Sequence, residues 1–297
     1  MPSLDEAQTR AEDLVKAARK AGADAADALY ACNASTTVAV RMGALEDVES
    51  SEGEEIGLRL FVGRRSATIS ASDMNPATLA TLVDRCVAMA REAPEDPWAG
   101  LAPEDRLLRK RPPGLDLTDT QEPEPAALRE RALEAEDAAR AVPGVTNSEG
   151  GGASTGRSQV ALVTSHGFAG AYGATSHSTW ASVLAGEADG MQRDHASHSV
   201  RHLADLDAAH AIGGRAAQRA VARLNPIRVE SGIMPIIFDP RIGSSLVGHL
   251  MSGIVGPAIA RRSSFLLDAL GQALFDAGVS IVDDPLRPRG LRSRPFD

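Results

Sequence analysis

Between residues 26 and 71 apolar and β-branched residues alternate with polar ones, and this alternation constrains the fold more than any other stretch of the chain. A period of two places successive side chains on opposite faces of a strand, so each run must bury one face against something else. The runs 36–42, 45–50, 55–62 and 65–70 are punctuated by Gly43, Gly53 and Gly63, which predicts an antiparallel meander turning at those glycines. Helical patterns flank it. Leu4, Ala7, Ala11, Leu14, Val15 and Ala18 share one helix face, with Asp5 and Glu6 in the first turn and Gly22 as the stop. Residues 76–93 place Leu79, Leu82, Val83, Cys86, Val87 and Met89 on or near a second apolar side. Helix, meander and helix together predict a small α+β domain over residues 1–93.

Residues 94–124 carry Pro94, Pro97, Pro103, Pro112, Pro113 and Pro123 and little apolar period, so they read as an extended linker. The basic run 106–111 within it has no interleaved aromatics, the pattern of a solvated face. A helix over 125–141 then leads into 145–199, where Gly, Ser, Thr and His alternate with Val, Leu and Ala, a pattern for a mainly antiparallel sheet. The next helix spans 205–224 despite Gly213 and Gly214. Further on, the apolar run 234–238 predicts a strand and Asp239-Pro240 a helix start. Leu246, Val247, Leu250, Met251, Ile254 and Val255 then form a stripe expected to be buried, Gly256-Pro257 breaks it, and a second helix from Phe265 to near Gly278 and a strand over 279–282 follow. Residues 125–297 are thus expected to make a second α+β domain.

Aromatic residues are 3% of the chain, so its cores must be built from Ala, Val, Leu and Ile. The net charge of −9 argues against a general nucleic-acid binder. Cys32 and Cys86 are too few for a disulfide framework, which suits a reducing compartment. The first residues show neither a basic nor an apolar leader region, and no apolar run is long enough to span a membrane, so the expectation is a cytoplasmic protein without a membrane partner.

Three strings resemble chemistry. Gly151-Gly-Ala-Ser-Thr-Gly156-Arg157-Ser158 approaches a phosphate-binding loop, and Gly152-Ala-Ser154-Thr-Gly156 spells a nucleophile elbow. Both motifs need a helix to follow, whereas Gln159-Val-Ala-Leu-Val163 reads as a strand, so a glycine-rich hairpin turn is expected there instead. His195, His198 and His202 form the strongest metal-like string. In a strand His195 and His198 point to opposite faces, and no Glu sits at the spacing of a zinc hydrolase. Asp194, His166 and His177 are further donors if the sheet folds back.

The run Arg262-Ser-Ser-Phe-Leu-Leu-Asp-Ala-Leu-Gly271 and the stretch from Pro285 to the closing Arg-Ser-Arg-Pro-Phe-Asp resemble the TldD/PmbA family, on its PmbA (TldE) branch. Val145-Thr-Asn-Ser-Glu-Gly150 and Asp189-Gly-Met-Gln-Arg-Asp194 extend the resemblance over most of the chain. It implies a cytosolic two-subunit metalloprotease, historically labelled a gyrase modulator, that cleaves unfolded peptides and matures a peptide precursor. Its TldD-type subunit carries zinc on a His-Glu-x-x-x-His helix. Here the corresponding stretch reads Leu246-Val-Gly-His249-Leu-Met251, one histidine and no carboxylate, so the resemblance implies a non-catalytic subunit with no metal of its own. Its implied partners are a TldD-like zinc subunit and an unfolded peptide, with a homodimer as a further assembly. Members of the family continue by roughly another third beyond the Ser-Arg-Pro-Phe-Asp run, so the second domain is expected to be incomplete at its C-terminal end, with unpaired strand edges. The alternative from the residues is a stand-alone hydrolase, using a metal site at His195, His198 and His202 or Ser154 as nucleophile.

Overall fold

The computed structural model describes residues 1–110, 112 and 114–296, which leaves Arg111 of the basic run, Pro113 and Asp297 outside the described residues. Among the described residues six strands form one antiparallel sheet in the order β3-β2-β1-β4-β5-β6. They are β1 (Ala25–Arg41), β2 (Ala44–Val62), β3 (Arg65–Ala71), β4 (Val145–Thr164), β5 (Ala169–Ala185) and β6 (Gln192–Val200). The α+β class expected from the alternation is what the chain adopts. The strands are fewer and longer than the glycines suggested. Gly43 and Gly63 do turn, with φ of 79° and 59°, but Gly53 sits inside the 19-residue β2 opposite Asn33. A Cβ there would lie 3.1 Å from the Asn33 side-chain oxygen, so this glycine serves a close approach rather than a turn.

The glycine-rich string at 151–158 is likewise not a hairpin but the middle of the 20-residue β4. A Cβ on Gly152 would lie 2.4 Å from the Trp180 ring, and one on Gly151 2.7 Å from the Ala132 carbonyl. Glycine there lets an indole and a helix lie directly on the backbone.

Four helices pack on one face of the sheet, the face of the even-numbered β1 residues. Helix α1 (Leu4–Lys20) starts in a Ser3–Glu6 capping box and stops at Gly22, whose φ is 101°. It packs with α2 (Pro76–Glu92) on Ala26, Ala28, Tyr30, Ile56, Leu58 and Leu60. Toward the other end of the strands, α3 (Pro125–Arg140) covers Val38, Val40 and Ala153. Helix α4 (Ala209–Ala222) joins α3 over Ala181, Val183, Ala185 and Ala196. Alanine dominates this second core, as the scarcity of rings required, and it lets α4 approach α3 until Gly213 touches the Ala135 carbonyl.

The β1–β2 turn is held by one buried carboxylate. Glu136 of α3 accepts from the amides of Met42 (2.7 Å) and Gly43 (2.9 Å) and from the Ser148 hydroxyl. Both turn residues have positive φ, the signature of a tight primed hairpin. On the opposite sheet face Phe296 packs edge-on against Phe168 and Tyr172, with ring centroids 5.1 and 5.3 Å away.

Contacts divide the chain into residues 1–226 with 284–296, which hold the sheet, and a smaller unit Ile227–Asp283. In the smaller unit the expected helix forms as α5 (Pro240–Ile254), capped by Asp239, followed by the short α6 (Gly256–Ala260). The strands expected at 234–238 and 279–282 do not form, because no described strand offers them a hydrogen-bonding neighbour. Ile236 and Ile237 accordingly stand 71% and 97% exposed. The stripe of Leu246, Val247 and Met251 is also exposed rather than buried. The second helix expected from Phe265 to near Gly278 gives way to turns, with Gly271 (φ 81°) in a left-handed conformation that a helix does not accommodate.

Candidate functional site

Between the two helix pairs the sheet is left bare, and a row of polar side chains crosses it there. Ser50 of β2 pairs with Thr36 of β1, Thr36 with Thr155 of β4, and Thr155 with His177 of β5. All four belong to the helix-bearing face, and Val38 and Ala153, two positions along from Thr36 and Thr155, enter the core under α3. A groove of about 130 Å³ lies along this row, lined by Thr36, Ser50, Glu52, Thr155, Arg157 and Glu122 among others. It is roofed at the β5 side by residues 117–122, the last part of the proline-rich stretch.

That roof is tied down residue by residue. The Leu117 carbonyl accepts from the Thr175 amide at 2.9 Å, and the Asp119 amide donates to the Thr175 hydroxyl at 2.8 Å. Arg157 pairs with Glu122 at 2.9 Å. Asp119 is buried and accepts from the amides of Gln121 (3.0 Å) and Leu203 (2.7 Å). Burial pushes its carboxyl up, but these amides, with His177 and His202 nearby, pull it below the usual carboxylate range. His177 is 1% exposed, with Nδ1 3.1 Å from the Thr155 hydroxyl and Nε2 3.4 Å from an Asp119 oxygen. Burial, the largest influence, drives its pKa below 6.5 against the pull of Asp119, while His202 and Arg157 reinforce the lowering. The imidazole is therefore neutral, and the arrangement suits Thr155 donating to Nδ1 while Nε2–H faces Asp119.

A hydroxyl, an imidazole and a carboxylate in line resemble a nucleophilic relay. The surroundings do not complete one. Thr155 lies mid-strand with neighbours on both sides, so the nearby backbone amides are engaged in the ladder and none is aimed at a developing oxyanion. The network holds the roof and sets the polarity of the groove.

The sequence-derived candidates fall elsewhere. Ser154 is one residue from Thr155, so it points to the other face of β4, between Thr37 and Ser178. His195 is exposed on β6, while His198 lies on the helix side with Nδ1 accepting from the Asp207 amide at 3.1 Å. His202 follows the strand and gives its Nε2–H to the Asp116 carbonyl at 2.9 Å. The three are not brought together. His166 sits between Thr164 and the Ala102 carbonyl. Among the described residues no set of three or more His, Cys, Asp or Glu side chains is placed to hold a metal ion. On α5, His249 is followed by Leu250, with Ile254 where a His-Glu-x-x-x-His string would put its second histidine. This donor set does not fit zinc. Sequence reasoning missed Asp119, Thr155 and Glu136, and it noted His177 only as a distant donor. The available signal was the Thr/Ser/His alternation of β4 and β5.

Comparison with known proteins matches the chain to three consecutive family models. These are the PmbA/TldA metallopeptidase domain 1 over residues 26–90, the central domain over 118–224 and the C-terminal domain over 231–297. Metalloprotease PmbA of Escherichia coli O157:H7 is 33% identical over 275 residues, covering 92% of this chain and 61% of that protein. A PmbA homolog of Haemophilus influenzae is 30% identical over 284 residues, covering 95% of this chain and 62% of its own length. The chain thus spans about three fifths of the length of these curated relatives. A crystal structure from Bacteroides thetaiotaomicron bearing the gyrase-modulator label superimposes with a TM-score of 0.90 at 25% identity, over 99% of this chain and 67% of that one. TldE of Thermococcus kodakarensis shares the fold, with a TM-score of 0.69 at 16% identity, over 86% of this chain and 57% of its own. Sequence, domain order and fold agree: the chain belongs to the PmbA/TldE family.

Proposed function

We propose that this chain is the polypeptide-handling, non-catalytic subunit of a cytoplasmic zinc metalloprotease, working beside a TldD-like chain that carries the metal and acting on unfolded peptides or peptide precursors. The observation that carries this reading is the hydroxyl-lined groove across the bare middle of the sheet. Serine and threonine side chains there offer donors and acceptors to a peptide backbone without selecting a side chain, as recognition of unfolded polypeptide requires. The unsuitable donor set around His249 and the relatives named as metalloproteases support the division of labour, with carbonyl polarisation and water activation left to the partner's zinc.

The test is metal content and cleavage of a denatured polypeptide by the purified chain, alone and mixed with a TldD-like subunit from the same cell. The reading expects zinc in the partner and cleavage only in the mixture. Stoichiometric zinc with cleavage by this chain alone would overturn it in favour of a stand-alone hydrolase. Cleavage by the partner that is unchanged when this chain is omitted would overturn it as well.

A further inference from the structure

Among the described residues, β2 carries a long open edge. β3 pairs with β2 only over residues 56–62, so residues 44–55 of β2 bond to β1 on one side and to no described strand on the other. A strand edge of this kind presents a row of free N–H and C=O groups, a template for another extended chain. The charged side chains along it are Glu46, Asp47, Glu49, Glu52, Glu54 and Glu55, without a single lysine or arginine. Glu54 is engaged by Arg10 at 2.6 Å and Glu46 by Arg41 at 4.0 Å. Asp47, Glu49, Glu52 and Glu55 have no ion-pair partner among the described residues, and all four are exposed. Two consequences follow. A second copy is repelled, because edge-to-edge pairing would set carboxylates against carboxylates. A chain carrying lysine or arginine is attracted by the same charges. The edge also borders the groove, since Ser50, Ser51 and Glu52 line it.

The geometry points to residues 44–55 of β2 as a docking edge that takes up an extended, lysine- or arginine-rich segment of an unfolded polypeptide by strand addition. Main-chain hydrogen bonds to the free edge hold the segment whatever its sequence. The four uncompensated carboxylates select its charge, Glu52 on the groove's face and Asp47, Glu49 and Glu55 on the other, so basic side chains of either parity are drawn to the edge. This rests on the polypeptide-handling reading above, and it adds a place of entry and a preferred substrate chemistry.

The experiment uses the whole chain and fluorescent peptides of about twelve residues, a length matched to the open edge at roughly 3.3 Å per residue. One peptide alternates lysine with threonine, a second has glutamate for lysine, and a third is the lysine peptide with alternate backbone amides methylated. Anisotropy reports binding, and hydrogen exchange reports where it occurs. The expected result is binding of the lysine peptide that weakens with salt, falls roughly tenfold or more on N-methylation or in the Glu49→Lys/Glu52→Lys variant, and protects residues 44–55 from exchange. Equal binding of the acidic peptide, no effect of N-methylation, or protection elsewhere would overturn the proposal. So would protection of 44–55 in a concentration-dependent dimer without peptide, which would put a second copy on the edge. Peptide binding is read without the partner subunit, so failure here leaves cleavage by the reconstituted pair intact, and failure of the pair leaves this binding intact.

Discussion

Gly213 and Gly214 are adjacent in the interior of α4, and their surroundings send the same substitution in opposite directions. Alanine in a helix interior is favoured over glycine by about 1 kcal/mol, so on propensity alone both replacements stabilise. At Gly214 nothing lies within 4 Å of the added Cβ, and the full gain is expected. At Gly213 the Cβ would lie 1.9 Å from the Ala135 carbonyl oxygen, 2.9 Å from its carbon and 3.1 Å from the Ala139 nitrogen. These are backbone atoms of α3 and cannot rotate away, so α4 must back off by roughly 1.5 Å to regain ordinary contact. That retreat loosens Ile212, Ala216, Ala217 and Ala220, all fully buried against the same neighbours. Overpacking of this kind costs about 1–3 kcal/mol or more, which outweighs the propensity gain. Urea unfolding followed by circular dichroism should show Gly214→Ala stabilised by about 1 kcal/mol and Gly213→Ala destabilised by about 2 kcal/mol. A Gly213→Ala protein as stable as the parent would refute the reasoning, because it would mean that α4 does not rest on α3 through this contact.

Two further outcomes follow from buried groups. His177 is neutral in the fold with its pKa held below 6.5, so the unfolded chain takes up a proton first as pH falls. Its share of stability is therefore complete above pH 6.5 and is lost as the pH drops from 6.5 toward the depressed folded value. Thermal unfolding of His177→Leu between pH 7 and 5 should show a flatter acid-side decline than the parent, and an unchanged slope would contradict the assignment. Glu136→Ala removes an anionic acceptor shared by two turn amides and a hydroxyl, at an expected cost of about 3–5 kcal/mol. Hydrogen exchange at Met42 and Gly43 should accelerate in that variant, whereas unaltered exchange would show the turn to be held by β1 and β2 alone.

The helices of the larger unit were legible because their signals are local. Ser3 and Glu6 cap α1, Asn75 and Pro76 open α2, and the alanines of α3 and α4 recur at helical spacing. The glycines misled because one residue type marks two different events. At Gly43 it permits a positive φ, and at Gly53 and Gly152 it removes a side chain from a crowded strand. Sequence distinguishes these only through the neighbour that does the crowding, and Trp180 lies on another strand. The pairing of β1 with β4 joins residues from either side of the proline-rich segment, and that of Asp119 with His177 ties the end of this segment to β5, which no local period can report. In the smaller unit, apolar runs at 234–238 and 279–282 carry strand propensity, but a strand exists only beside another strand.

The central position of β1 sets a timetable for the chain as it is made. Its β2 neighbour follows at once through the Met42–Gly43 turn, but its other neighbour, β4, is translated about 120 residues later, a wait of roughly 6–24 s at ordinary ribosomal speed. For that interval the nascent α1–β3 piece holds a half-finished sheet whose open side is β1, with Tyr30, Val38 and Val40 committed to the interior of the finished fold. Until β4 arrives, this earliest segment therefore carries apolar surface with no partner strand to cover its edge.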